Sequence, residues 1–272
     1  MISPSQLRAV ARDRRLPVDI VEKDYVLGWI FLGVVKSSVG ADLALKGGTA
    51  LSKVYHPGGW RLSEDLDFTF VKPSHPNSTG AKMAAELPEL VDEISPGLRI
   101  TLRDGPFVSG GEYLQVKFRF AGPIGSGTIK IEVTTEDPVG PLRKRILPRS
   151  GWDYPAQKVQ VYSIENILAE KMRALATRGH IRDYYDVWRL SRERGVGWAE
   201  TRRLFPRKCQ FKGLGNVTLL DMFPPGLEKM LQPYVARGLT RLTTEKVPAL
   251  PAMLEETKEA VRRKMGSSLD IS

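Results

Sequence analysis

Two carboxylates, Asp65 and Asp67, stand two residues apart in Arg61-Leu62-Ser63-Glu64-Asp65-Leu66-Asp67-Phe68, and a glycine pair lies upstream of them in Lys46-Gly47-Gly48-Thr49. The run Leu66 to Val71 is rich in Phe and Val, which favours a strand, so the two aspartates share one face while Leu66 and Phe68 point into a core. At the usual strand rise their backbone positions lie roughly 7 Å apart. From there two carboxylates can converge on one Mg2+, or bridge two ions about 3.5 to 4 Å apart, an arrangement suited to in-line displacement of pyrophosphate.

Gly47 and Gly48 follow the apolar run Leu43 to Leu45 and precede Thr49 to Tyr55, which reads as a two-turn helix capped by Thr49. Backbone N–H groups at such a helix start attract phosphate, because they lack partners and the helix dipole adds positive potential. Taken singly, a Gly-Gly is an ordinary turn and an Asp-x-Asp is a solvated face. The order strand, Gly-Gly, helix, Asp-x-Asp strand within one short span points instead to a site for a metal-bound nucleoside triphosphate.

The strand Ile129-Lys130-Ile131-Glu132-Val133 supplies a candidate third carboxylate, Glu132, with its β-branched residues on one side and Lys130 and Glu132 on the other. Three carboxylates at about 4 Å repel by roughly 1 to 4 kcal/mol per pair, so such a cluster calls for cations. A solvated Lys/Glu edge is the competing explanation.

These residues need a scaffold. Helices are expected near the N-terminus, one capped by Ser3 or Ser5 and one opened by Pro17, whose Glu22-Lys23-Asp24-Tyr25 group reads as a solvated edge. After a loop at 72–80 come a helix over 81–94 and strands over 98–102, 113–120 and 128–133, with 123–127 as a hairpin turn. A Gly- and Pro-rich linker, 138–155, carries Arg143-Lys144-Arg145 and Arg149. Beyond it Ser163 caps a helix with Ile164, Leu168, Met172 and Leu175 inward and Lys171 on the border of that stripe. The next helix begins near Ile181-Arg182-Asp183, with Asp186 on the same face as Asp183. Further on, Pro224-Pro225-Gly226 opens one helix, and Leu250, Met253, Leu254, Val261 and Met265 have the spacing of another.

Lys46-Gly47-Gly48-Thr49-Ala50-Leu51, then Arg61, Ser63 and Asp65-Leu66-Asp67-Phe68, and later Leu168-Ala169-Glu170-Lys171 with Arg182-Asp183, resemble the AbiEii/AbiGii-type toxins of the nucleotidyltransferase superfamily, relatives of the MenT-type toxins. The resemblance runs from about Glu22 to the Arg182-Asp183 helix and fades near residue 200. It implies a polymerase-beta-like core, Mg2+ or Mn2+, an NTP substrate, transfer to an RNA end such as that of tRNA, and a cognate antitoxin. By the same likeness Lys46, Gly47, Gly48, Thr49, Arg61 and Ser63 belong to the nucleotide site and Lys171 holds the triphosphate. Asp183 becomes a site residue, as a base or as a brace for Lys171. The chain departs from the superfamily in having Gly48 where Ser is common and in the insertion from Tyr55 to Arg61. Arg61 and Ser63 are the expected substitutes for the missing hydroxyl.

The chain has 272 residues, 42% of them hydrophobic, with a formal net charge of +10. Residues 140–272 hold 25 Lys/Arg against 14 Asp/Glu and residues 1–139 hold 16 against 17, so the basic half suits a polyanion. Arg202, Arg203, Arg207, Lys208, Lys212, Arg262, Arg263 and Lys264 are its candidate RNA face. One cysteine, Cys209, excludes an internal disulfide and a zinc cluster, and His56, His75 and His180 lack metal-ligand spacing. Val26 to Val35 is too short to span a membrane, and the expected setting is cytoplasmic.

The expectation is therefore an α/β (α+β) fold, with a nucleotidyltransferase core over residues 1–145, a basic helical domain over 146–272 and the active site in a cleft between them. Asp65, Asp67 and Glu132 would hold metal, and an RNA 3′-hydroxyl would attack the α-phosphorus of an NTP. Transfer of a nucleotide or phosphate to a protein side chain, or nucleotide-responsive RNA binding without turnover, are the alternatives.

Overall fold

Ser3 opens the first helix, α1 (Pro4–Arg14), with a capping box: its hydroxyl accepts the Gln6 N–H and the Gln6 side chain accepts the Ser3 N–H. The structure, a computed structural model, describes residues 1–72, 75–135, 140–148, 152–266 and 269. Two compact units divide the chain, Met1–Tyr162 and Ser163–Ser272.

In the first unit α2 (Val18–Lys36) is buried along most of its length. It is followed by β1 (Leu43–Lys46), then α3 (Gly47–Ala50), which runs on as a π-turn over Leu51–Tyr55, and then β2 (Leu66–Phe70). Next come α4 (Pro76–Ile94), β3 (Arg99–Ser109), β4 (Tyr113–Ala121), β5 (Ser126–Thr134), β6 (Leu142–Leu147) and β7 (Gln157–Tyr162). The strands form one mixed sheet in the order β3-β4-β5-β2-β1-β7-β6. Its central pairs are β2 antiparallel to β1 and parallel to β5, with β7 parallel to β1. The α/β class read from the sequence holds.

Several local expectations change. The second half of the 72–80 loop is the first turn of α4, which starts at Pro76 because a proline at the first helical position sacrifices no hydrogen bond; Pro73 and Ser74 lie outside the described residues. The expected linker contains β6, an edge strand whose Arg143, Lys144 and Arg145 conceal the alternation of its apolar residues, and edge strands carry such charges. Residues 138–139 and 149–151 of that linker lie outside the described residues. The division expected at 145/146 lies within β6, and the compact units divide after Tyr162.

The Glu22-Lys23-Asp24-Tyr25 group is not a solvated edge: Glu22, Asp24 and Tyr25 are buried. Glu22 accepts the N–H groups of Ile124 and Gly125 at 2.6 and 2.9 Å, tying α2 to the β4–β5 hairpin turn. Asp24 accepts from Lys53 at 2.8 Å and Trp152 at 3.2 Å, tying α2 to the π-turn. Burial lowers the pKa of the Lys53 ammonium, although Asp24 opposes that shift.

The second unit contains α5 (Ile164–Thr177), α6 (Ile181–Arg192), α7 (Trp198–Phe211), two short helices α8 (Leu219–Met222) and α9 (Leu227–Leu231), and α10 (Leu250–Met265). Ser163 caps α5 by accepting the Asn166 N–H at 3.2 Å. Lys208, placed by the sequence reading on a basic face, is buried and donates to Glu170 at 3.2 Å. Among the described residues no helix is long and apolar enough to cross a membrane.

Candidate active site

Register places the acidic residues. Lys46 on β1 lies opposite Asp67 on β2, Asp67 opposite Glu132 on β5, and Glu132 opposite Gln115 on β4, so these four form one row across the sheet. Side chains in register share a face, and the alternation of β2 buries Leu66, Phe68 and Phe70 on the other side. Asp65 sits immediately before β2, outside the strand whose alternation, in the sequence reading, sets it on the face of Asp67, and its carboxylate lies 3.9 Å from the Lys130 ammonium.

The glycine turn lies against this row. Gly47 has φ +66°, and a Cβ there would stand 2.7 Å from an Asp67 carboxylate oxygen, so only hydrogen fits. A Cβ on Gly48 would stand 2.5 Å from the Arg61 guanidinium. The insertion thus returns Arg61 to the glycine backbone, and Arg61 itself is buried. Thr49 is not the helix cap, because the helix already begins at Gly47; its hydroxyl instead donates to the Asp65 carbonyl, fastening the turn to the start of β2. Lys46 is buried with its ammonium 5.9 Å from the centre of the Tyr162 ring. Ser63 is buried in the segment leading to Asp65.

Glu132 is held by three donors: Lys130 at 2.7 Å, the Tyr113 hydroxyl, and Gln115 at 3.4 Å. Burial alone would raise its carboxyl, but the hydrogen bonds from Lys130 and Tyr113 outweigh it and hold the pKa below the usual value. The Lys130 ammonium also lies 3.9 Å from Asp65. Burial raises the Asp65 carboxyl, Glu132 and Glu64 add to that, and Lys130 and Lys23 only partly oppose it. Tyr113 is pushed up to about 12 by burial and by Glu132.

Asp67 beside the glycine turn and Asp65 at the entry to β2 both offer hard oxygen donors, the chemistry that Mg2+ or Mn2+ takes. Among the described residues no group of three or more His, Cys, Asp or Glu side chains gathers as an ion site. Lys130, Tyr113 and Gln115 surround Glu132 and were not among the residues expected from the sequence to act there. Lys130 was legible from its spacing to Glu132; the other two depend on the β4–β5 register.

In the second unit Lys171 and Asp183 do meet. Lys171 is buried and donates to Asp183 at 2.6 Å, with Asp186 at 3.0 Å from the same ammonium. Arg178 adds bonds to Asp183 at 2.8 and 3.1 Å. Burial would raise the Asp183 carboxyl, yet Lys171 and Arg178 hold it far below the ordinary range. Lys171 is therefore no exposed helix lysine but the centre of an ion network.

Comparison with known proteins adds a family and a fold. The family model described as nucleotidyl transferase AbiEii toxin, type IV toxin-antitoxin system, matches residues 30–265. No curated protein matches. Among solved structures, MenT4, a nucleotidyltransferase toxin from Mycobacterium tuberculosis H37Rv, superposes with a TM-score of 0.71 at 20% identity over 100% of this chain and 91% of its own. A protein called JHP933 from Helicobacter pylori gives 0.56 at 18% identity, covering 93% of this chain and 94% of its own. A putative nucleotidyltransferase from H. pylori gives 0.55 at 18% identity, covering 93% and 97%. Likeness at these identities speaks for the fold.

Proposed function

Since the chain belongs to the AbiEii nucleotidyltransferase toxin family, we propose that it transfers a nucleoside monophosphate from an NTP to the 3′ end of an RNA, with tRNA the acceptor to test first. As a member of that family it is a nucleotidyltransferase that uses an NTP and has an antitoxin counterpart. The finer reading rests on one observation above all, the sheet register that puts Asp67 in one row with Lys46 and Glu132 while its carboxylate packs so close to the Gly47 turn that no side chain fits there.

In this reading Asp65 and Asp67 hold the divalent ion, with Glu132 beside them. Mg2+ or Mn2+, when bound, neutralises charge on the phosphates and on the departing pyrophosphate. Gly47, Gly48 and Thr49 offer main-chain N–H groups to phosphate oxygens, and Arg61 at the back of Gly48 adds a guanidinium. Lys46 directly precedes that turn, and Ser63 stands two residues before Asp65. Lys171 serves the triphosphate on the strength of the resemblance, and Asp183 braces it. Asp183 is a poor proton acceptor, because a carboxylate held far below its usual pKa and already taking Lys171 and Arg178 has little affinity for a further proton. Positioning and charge neutralisation provide the catalysis.

The test incubates the protein with each labelled NTP, Mg2+, total RNA and cell lysate, and asks which polymer carries label. Label in RNA that disappears for Asp67→Ala is expected. Label in protein, or nucleotide binding with label in neither, overturns the RNA reading.

A further inference from the structure

The oxygens of Glu132 are engaged by Lys130, Tyr113 and Gln115. A carboxylate has about four acceptor directions. Three donors leave it little with which to coordinate an ion.

The ammonium that occupies Glu132 does more than satisfy it. Lys130 is two residues before Glu132 on β5 and therefore on the same face, and it reaches back to within 3.9 Å of Asp65. Across the sheet its register partner on β4 is Lys117, a like charge directly opposite. Such a pair is unfavourable unless nearby acids offset it, and here Asp65, Asp67 and Glu132 all act electrostatically on Lys130. A cation is thus built into the strand beside Asp65.

We propose that Lys130, anchored by Glu132, is the protein's own second cation: it takes the place beside Asp65 that a second divalent ion would fill, so the acidic face accepts a single ion on Asp65 and Asp67. Glu132 is then a positioning residue for Lys130 and not a metal ligand. This rests on the proposed role of Asp65 and Asp67 in binding metal.

The experiment titrates Mn2+ alone into the full chain by calorimetry, for the wild type, Asp67→Asn, Glu132→Gln, Lys130→Met and Lys130→Gln. The wild type binds a single ion, and Asp67→Asn abolishes it. Both Lys130 variants tighten Mn2+ by about tenfold and admit a second ion, since Asp65 and Glu132 lose their ammonium. Glu132→Gln still binds a single ion, because the side chain supplies no ligand, even where losing a supporting group weakens the affinity. The shift in Tm on adding Mn2+ gives a second readout, with the metal-free Tm reporting that each variant is folded. Loss of Mn2+ binding in Glu132→Gln, or Lys130 variants that bind Mn2+ like the wild type, overturns the assignment while leaving the aspartate site standing. Mn2+ binding that ignores Asp67→Asn overturns the aspartate site itself, and the Lys130 assignment with it.

Discussion

Lys171 carries a charge that is already answered inside the protein. Its ammonium stands 2.6 Å from Asp183 and 3.0 Å from Asp186, both almost fully buried. Removing one partner of a buried pair strands the other, at a cost of about 3–5 kcal/mol. Lys171→Met leaves two carboxylates without it, so denaturant unfolding at pH 7 is expected to show a larger loss for Lys171→Met than for Asp183→Asn. The acid response follows from the depressed Asp183 pKa. Its contribution to stability is complete above the unfolded value of about 3.9. It declines as pH falls toward the lower folded value, where the unfolded chain binds the extra proton. Unfolding between about pH 4 and 2 should therefore show a steeper fall in stability than Asp183→Asn shows; equal slopes would argue that the network does not hold Asp183 ionised. The sequence marked Lys171 and Asp183 through their likeness to a known pattern. Asp186 looked weaker there because helical spacing puts it near Asp183 without saying that both reach one ammonium.

At the scale of elements, α2 is the brace for the glycine turn. The Asp24–Lys53 pair, 2.8 Å and buried on both sides, joins it to the π-turn, and Glu22 joins it to the β4–β5 hairpin. Lys53→Met removes the ammonium nearest Asp24, leaving it Trp152 at 3.2 Å and Arg14 at 4.0 Å, and is expected to cost about 3 kcal/mol, the low end for a broken buried pair. It should also lower NTP affinity while leaving Asp65, Asp67 and Glu132 untouched. Calorimetric NTP titration beside an unfolding curve checks this, and unchanged NTP affinity in a destabilised protein would mean that α2 supports the fold alone. The strands around the site were legible because β2 and β5 alternate cleanly between core and face. β6 and β7 were not. Charged residues hide the period of β6, and the Gly- and Pro-rich flanks of both strands read as linker. The role of α2 was equally hidden, since Glu-Lys-Asp on a helix ordinarily faces water and only the fold brings Lys53 and the hairpin turn to it.

For the molecule as a whole, charge divides unevenly along the chain. Residues 163–272 hold 20 Lys/Arg against 13 Asp/Glu, while residues 1–162 hold 21 against 18. If the second unit meets RNA phosphates, affinity should fall by at least about tenfold between 50 and 200 mM salt, as condensed counterions are released on binding. Fluorescence anisotropy with a labelled RNA across that range tests it, and a flat response would remove the electrostatic argument for RNA. Lys208 lies inside the fold, and the exposed Arg203 and Arg262 already answer Glu200 and Glu259 at 2.6 and 2.8 Å, so fewer surface cations stand apart from a carboxylate than the sequence suggests. The parallel neighbours of the sheet have a further consequence. Asp67 gains Glu132 beside it only when β5 arrives, and β1 gains its flank only when β7 does. Pairings so distant along the chain form slowly and late. A polypeptide still emerging from the ribosome would therefore lack the row that joins Asp67 to Glu132 until β5 had been translated, and the flank of β1 until β7 had, so a half-made first unit holds neither.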